Sequence, residues 1–177
     1  MAHAVVSHPV RWLALSLALG VAPWSAGAFD ANKLEDFKTT NVCKYCDLTD
    51  APMSGRDMRG ADFQNANLSG AVMSKANMGE RPMEKRTLVT NFEDANLRRT
   101  DFSGANLHLA NFTNAYLRDA NLSGADLSDA VLSKANLKGA VLSGANLKGA
   151  KLDDAKLDDA KFCKTIMPDG AVNDSGC

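Results

Sequence analysis

The chain has 177 residues, a formal net charge of −1 and 6% aromatic residues. Such a length suggests one domain. The near-balance of charge gives no bulk bias toward nucleic acid or an anionic membrane surface. Few aromatics are available to build a conventional close-packed core.

The first segment, "MAHAVVSHPVRWLALSLALGVAPWSAGA", has the pattern of a secretory signal. Arg11 supplies the positive charge, Trp12 to Ala22 is an apolar run of eleven residues, and Ala26-Gly27-Ala28 is a small-x-small cleavage site. The run is short of the roughly 20 residues that span a bilayer, so cleavage after Ala28 is expected in preference to an N-terminal anchor. The exported chain then begins at Phe29, in the periplasm or outside the cell, with no stable membrane span. Trp12, Trp24, His3 and His8 leave with the leader, and His108 remains as the one histidine.

Next comes "FDANKLEDFKTT". Asp30 suits the N-cap of a short helix, with Leu34 and Phe37 on one face. From there the chain changes character. Leu, Met or Phe recurs every five residues, from Leu48 to Met78 and again from Phe92 to Phe162, giving seven pentads and then fifteen. Ala stands two residues before almost every one, the exceptions being Cys46, Arg56, Thr90 and Thr100. On a helix these residues would scatter round the whole cylinder. On a strand an odd period would send them to alternate faces. A chain that turns a corner every five residues satisfies the pattern. The central residue then points to an axis, the small Ala sits beside it, and the other three positions face water.

"ADFQNANLSGAVMSKANM" and "ANLRRTDFSGANLHLANFTNAYLRDANLSGADL" resemble the pentapeptide-repeat family, A(D/N)Lxx. The resemblance implies an all-β fold, a right-handed quadrilateral β-helix with four pentads per coil. Its expected parts are a signal peptide over 1–28, an N-terminal cap over 29–45, the β-helix over 46–164 and a C-terminal cap over 165–177. Twenty-two pentads make five and a half coils, about 26 Å of rod. Residues twenty apart stack, so Phe92, Phe112, Leu132 and Leu152 share one interior column, and Phe102, Leu122, Leu142 and Phe162 another. Both ends leave strand edges that need cover. At the C-terminus Pro168-Asp169-Gly170 is a turn signal, which lets Ile166 and Val172 fold back over the last coil.

The four cysteines lie in two pairs, one at each end of such a rod. In an exported chain an even count points to disulfides, and two of the three connectivities would cross the rod's whole length. Cys43–Cys46 and Cys163–Cys177 are therefore expected, the second pinning the C-terminal cap. "CKYC" has chemical alternatives, a redox dithiol or half a zinc site. Neither a βαβ unit nor two further nearby ligands accompany it.

Residues 81–89, "RPMEKRTLV", break the register, because Arg81 and Arg86 occupy the places of Ala. A loop carrying Arg81, Lys85 and Arg86 is expected to leave one corner. No constellation for acid–base, nucleophilic or phosphate chemistry stands out, and no cofactor or metal is implied. His108 is isolated and outward. Asp153, Asp154, Asp158 and Asp159 are interleaved with Lys151, Lys156 and Lys161, the pattern of a solvated surface. Ser103-Gly104, Ser123-Gly124 and Ser143-Gly144 stack as a tight corner column.

Arg98, Arg118 and Lys138 share another column, with Arg99 beside it. They are the candidate binding residues, for an anionic partner such as a cell-envelope polymer or for a protein. The leading expectation is a non-catalytic exported scaffold or binding module. The family resemblance adds a second, since some members are acidic dimeric rods that mimic DNA and protect gyrase. That keeps a homodimer open, but an export signal and mixed charge depart from the pattern. A third is a C-x-x-C redox protein.

Overall fold

The computed structural model of the chain describes residues 31–84 and 86–177. The expected leader, the Asp30 cap and Lys85 lie outside them, and the side chains of residues 31–35, including Leu34, are outside them too. Among the described residues no helix is long and apolar enough to cross a membrane.

Each pentad is built by one turn. The N–H three residues after a central residue donates to that residue's carbonyl, as Ala95 to Phe92 at 3.0 Å and Ala120 to Leu117 at 3.1 Å. The second residue after the centre has left-handed backbone: φ is 57° at Asp94, 59° at Asn114 and 65° at Gly124. Gly, Asn and Asp adopt that conformation most easily, which is why they crowd this place in the repeat. Lys134 at 60° and Leu109 at 60° adopt it as well, held there by the coils on either side.

Four such turns close one coil, and residues twenty apart pair in parallel register, as Asn111 with Val131 and Val131 with Lys151. The central N–H donates to the following coil, Leu117 to the Asn136 carbonyl at 2.8 Å. The N–H before it donates to the preceding coil, Tyr116 to the Ala95 carbonyl at 3.0 Å. The result is a right-handed quadrilateral β-helix.

The Leu, Met and Phe centres fill the axis, and Leu117, Leu122, Leu127 and Leu132 are wholly buried at 0% exposure. The first interior column carries aromatic rings. Phe63 stacks on Phe92 at 5.2 Å and Phe92 on Phe112 at 4.9 Å, while Phe102 meets Phe92 edge-on at 5.7 Å. Ring contacts of this kind add about 0.5–1.5 kcal/mol beyond area burial.

The β-helix extends beyond residues 46–164 at both ends. Val42 pairs with Asp62, and Cys43 is buried at an interior position, so residues 41–45 form a pentad and not part of the cap. Asn146 pairs with Ile166, so residues 165–169 form another, with Met167 at its centre. Both lack the Ala that marks the repeat. Asn41 stands in its place at one end and Thr165 at the other. Eight centres from Cys43 to Met78 and sixteen from Phe92 to Met167 make six coils of four, about 29 Å of rod.

The helix α1, Ala31–Thr40, covers the first coil. It ends where Asn41 takes φ 58° and donates its N–H to the Phe37 carbonyl at 2.8 Å, a left-handed C-terminal cap. Phe37 is buried and lies 4.9 Å from Phe63. It thus adds a ring to the first column, where the small Cys43 leaves room. Pro52 occupies the first coil, at a place where the N–H of later coils donates backward. With no coil beneath it, a missing donor costs nothing there.

The break at 81–89 is a hairpin, β1 (Arg81–Pro82) antiparallel to β2 (Thr87–Leu88), inserted between Met78 and Phe92. Coil pairing continues across it, since Asp62 pairs with Asn91 twenty-nine residues on. Arg81 and Arg86 are exposed and Met83 is 49% exposed. The hairpin folds back over Gly60, where a Cβ would lie 2.8 Å from that of Leu88. Glycine is needed twice over here, since φ is +66°.

Because each interior centre is packed by coils above and below, replacing one with a charged residue has no local remedy. Leu122→Lys loses roughly 1.5–3 kcal/mol of burial and strands an ammonium in the axis. The expected outcome is loss of the cooperative urea transition in far-ultraviolet circular dichroism. A variant that unfolds like the parent would show that Leu122 does not face the axis.

Candidate functional site: the corners and faces of the rod

The side chains of the coils that can meet a partner stand on the faces and corners of the rod. On the faces, the residue before each centre was expected to face water. Most of these residues are instead partly buried, because Asn and Asp join neighbouring coils there. Asn91 donates through Nδ2 to Asp62 Oδ1 at 3.3 Å, and Asn111 to Asn91 Oδ1 at 3.0 Å. Asn121 to Asp101 at 3.0 Å and Asn146 to Asp126 at 3.1 Å continue the pattern on other faces. The same Oδ1 accepts the N–H two residues on, as Asn91 does from Glu93 at 3.2 Å and Asp101 from Ser103 at 3.0 Å. One side chain therefore shapes its corner and ties two coils together.

The places where Ala is missing are also explained. Thr90, Thr100 and Thr165 are buried and donate their hydroxyls to the carbonyls of Met58 (3.2 Å), Leu68 (2.9 Å) and Leu142 (2.8 Å). Arg56 sits in the first coil, where its side chain is only half-buried. Among the described residues no buried side-chain polar atom lacks a partner.

The candidate basic column is assembled as expected from the stacking. Arg98, Arg118 and Lys138 follow one another at the same corner, with Arg99 next to Arg98. Arg118 Nε lies 3.4 Å from Asp119 Oδ2, and Lys138 Nζ lies 3.6 Å from Asp159 Oδ2, both pairs being well exposed. Among the described residues, no carboxylate is within ion-pair distance of the Arg98 or Arg99 guanidinium. Elsewhere Arg59 donates through Nε and Nη2 to the two Asp57 carboxylate oxygens, at 2.9 and 2.8 Å, and holds that carboxyl below the usual carboxylate range.

His108, expected to be an isolated surface residue, is half-buried and engaged. Its Nδ1–H donates to the Ser128 carbonyl at 2.8 Å and lies 2.9 Å from Ser128 Oγ, while Nε2 lies 3.9 Å from Glu80 Oε2. The three residue types are those of a hydrolytic triad, but the geometry opposes one. A carbonyl oxygen only accepts, so Nδ1 carries the proton and does not take one from Ser128. The acidic run beside Lys151, Lys156 and Lys161 is solvent-facing, and no metal-ligating cluster is found among the described residues.

Both cysteine pairs are bonded, Cys43–Cys46 with Cα atoms 5.4 Å apart and Cys163–Cys177 with Cα atoms 4.8 Å apart. Cys43 takes an interior position and Cys46 an Ala position, and both are buried. That bond is part of the first coil's core. The second holds the tail. β3 (Thr165–Ile166) pairs antiparallel with β4 (Val172–Asn173), and the Gly176 N–H donates to the Phe162 carbonyl at 2.5 Å.

The chain belongs to the pentapeptide-repeat family. The family model matches in eight copies over residues 46–80, 90–129 and 130–167. Its members are generally scaffolds, and no catalytic family is indicated. Among curated proteins nothing matches significantly. Among solved structures, HetL, a protein involved in heterocyst differentiation regulation in Nostoc sp. strain PCC 7120, is 34% identical over 71% of this chain, with a TM-score of 0.45. This chain covers 59% of HetL's own length. A pentapeptide repeat protein of the Arabidopsis thaliana thylakoid lumen is 28% identical, covering 66% of this chain and 72% of that one, with a TM-score of 0.27. QnrB1, a plasmid-mediated fluoroquinolone resistance protein, is 19% identical over 66% of this chain and 72% of its own, with a TM-score of 0.28. At these scores the likenesses concern the repeat and carry no activity with them.

The C-terminal bond closes a sequence separation of 14 residues, for which loop closure predicts about 3 kcal/mol. The double variant Cys163→Ser, Cys177→Ser is therefore expected to release the tail without unfolding the coils. Hydrogen exchange at Gly176 should quicken at least tenfold while exchange at Leu117 stays unchanged. Equal quickening at both would mean that the bond holds the whole rod.

Proposed function

We propose that the protein is a non-catalytic exported scaffold that meets an anionic partner along the Arg98–Arg118–Lys138 corner. The observation that carries this reading is the alignment of three cationic side chains on consecutive coils. At about 4.8 Å per coil, neighbouring heads fall within one Debye length at physiological salt, about 8 Å. Such a row repels itself and gains most from a partner that presents anions along a line. Asp119 and Asp159 offset two of the cations, and Arg98 with Arg99 is left as the strongest point of attraction. A cell-envelope polymer or an acidic protein surface has the required chemistry.

Export is supported by the leader pattern and by two bonded cysteine pairs, which persist in oxidising compartments. The interior place of Cys43 and Cys46 supports a structural role over a redox one. The DNA-mimic reading gains nothing from this corner, since mimicry needs an unbroken anionic face.

Heparin serves as a polyanion probe. Arg98→Glu combined with Arg118→Glu is expected to weaken heparin binding at least tenfold at about 0.15 M salt, with an unchanged melting transition. Retention equal to the parent's would remove this corner from the function.

A further inference from the structure

The C-terminal end of the rod is only half covered. The tail from Ala171 to Cys177 lies over the last coil beside Phe162 and Met167, where Gly176 and Ala171 supply hydrogen bonds. The other two sides of that coil, Lys151–Asp154 and Lys156–Asp159, have nothing beyond them. In every inner coil the central N–H finds an acceptor in the next coil, but no acceptor stands opposite the N–H of Leu152, Leu157 or Phe162, and of the three only Phe162 has the tail over it. Leu152 and Leu157 are only half-buried, whereas Leu132 and Leu137, one coil earlier in the same columns, are buried. Open strand groups beside exposed leucine form a template for another chain.

The other end is closed to such growth, since α1 and Phe37 cover the first coil. Head-to-tail stacking is thereby blocked. What the open half exposes the molecule to is the same half of a second copy, tail to tail.

The last coil differs from the others in the one respect that bears on this. The residue before each centre is Asn, Asp, Val, Tyr, Pro or Ile in every other pentad, but it is Lys at 151, 156 and 161. The two residues after the centre are both Asp at 153–154 and again at 158–159. One coil earlier, the columns of Lys151, Lys156, Asp153 and Asp158 hold Val131, Asn136, Ser133 and Lys138.

Pairing two open halves would bring four Asp carboxylates and two Lys from each copy to one seam and strip water from them. Among the described residues, of the four Asp only Asp159 has a cation within ion-pair distance, Lys138 at 3.6 Å, and burying the others without partners is costly. A two-fold axis through either open corner sets Asp directly against Asp.

We propose that the last coil is an electrostatic stop, and that its Lys and Asp rim keeps a second copy off the open edge. The rod therefore works as a monomer and meets its partners along its sides. This inference stands apart from the identity of the anionic partner and survives if the Arg98 corner proves inert.

The test is sedimentation velocity of the chain as the expressing cell processes it, at about 50 µM and at low and 1 M salt. The parent is compared with a variant that restores the inner-coil residues, Lys151→Val, Lys156→Asn and Asp153→Ser. The parent should sediment as a monomer at low salt, and the variant should dimerise at least tenfold more tightly. In the parent itself, 1 M salt shortens the Debye length to about 3 Å and should raise the dimer fraction. A parent that is dimeric at low salt overturns the proposal. So does a folded variant that stays monomeric. If the variant does not fold, the salt series decides, and association that falls or stays absent at 1 M salt overturns the proposal.

Discussion

The whole structure rests on one constraint: from Cys43 to Leu147, the N–H of each central residue finds its acceptor in the following coil. Leu117 depends on Asn136, and Leu137 on Lys156. A coil by itself leaves its ladder open and its Leu, Met or Phe in water, so stability is a property of neighbouring coils in contact. Each coil adds eight ladder bonds from its four centres and the four residues before them, each worth about 0.5–1.5 kcal/mol net. Four buried centres add roughly 1.5–3 kcal/mol each. The cost of ordering the backbone is of similar size, which explains why the sequence saves at most corners with Gly, Asn or Asp and joins many coils with Asn and Asp ladders.

The same constraint makes the two ends special, and the chain treats them differently. At the first coil a helix, a proline without a donor and a disulfide share the work. At the last coil a disulfide-pinned tail covers two sides, and charge guards the other two. The proposed function uses the corners. They are rigid, they repeat at a fixed spacing, and a column of like residues such as Arg98, Arg118 and Lys138 becomes a linear array without any loop to order. A scaffold of this kind recognises by spacing. The one grouping that resembles a catalytic triad, Glu80, His108 and Ser128, is instead a brace between coils, because the Ser128 carbonyl claims the imidazole proton.

The period of five made the fold legible, since only a corner every five residues sends each Leu to one axis. The interior columns and the buried alanines follow from counting alone. The pentads 41–45 and 165–169 were hidden because Asn41 and Thr165 replace Ala, and because Cys43 stands where Leu, Met or Phe marks the other centres. The Asn–Asp ladder was hidden for another reason. In sequence it looks like polar variation at one place in the repeat, and only alignment at a spacing of twenty brings Asn111 over Asn91 or Asn121 over Asp101. The hairpin at 81–88 carries too short a signal to distinguish from a loop. The basic column was visible from the same spacing, but its partial neutralisation by Asp119 and Asp159 depends on side-chain directions that no pattern encodes.

Residue-resolved hydrogen exchange under native conditions tests the stacking most directly. The account predicts strong and similar protection for the amides of Leu117, Leu122, Leu127 and Leu132, whose acceptors lie one coil away. It predicts exchange near the rate of an unstructured peptide at Leu152 and Leu157, where the ladder stops. Protection at those two residues equal to that at Leu132, or none at Leu117, would contradict it.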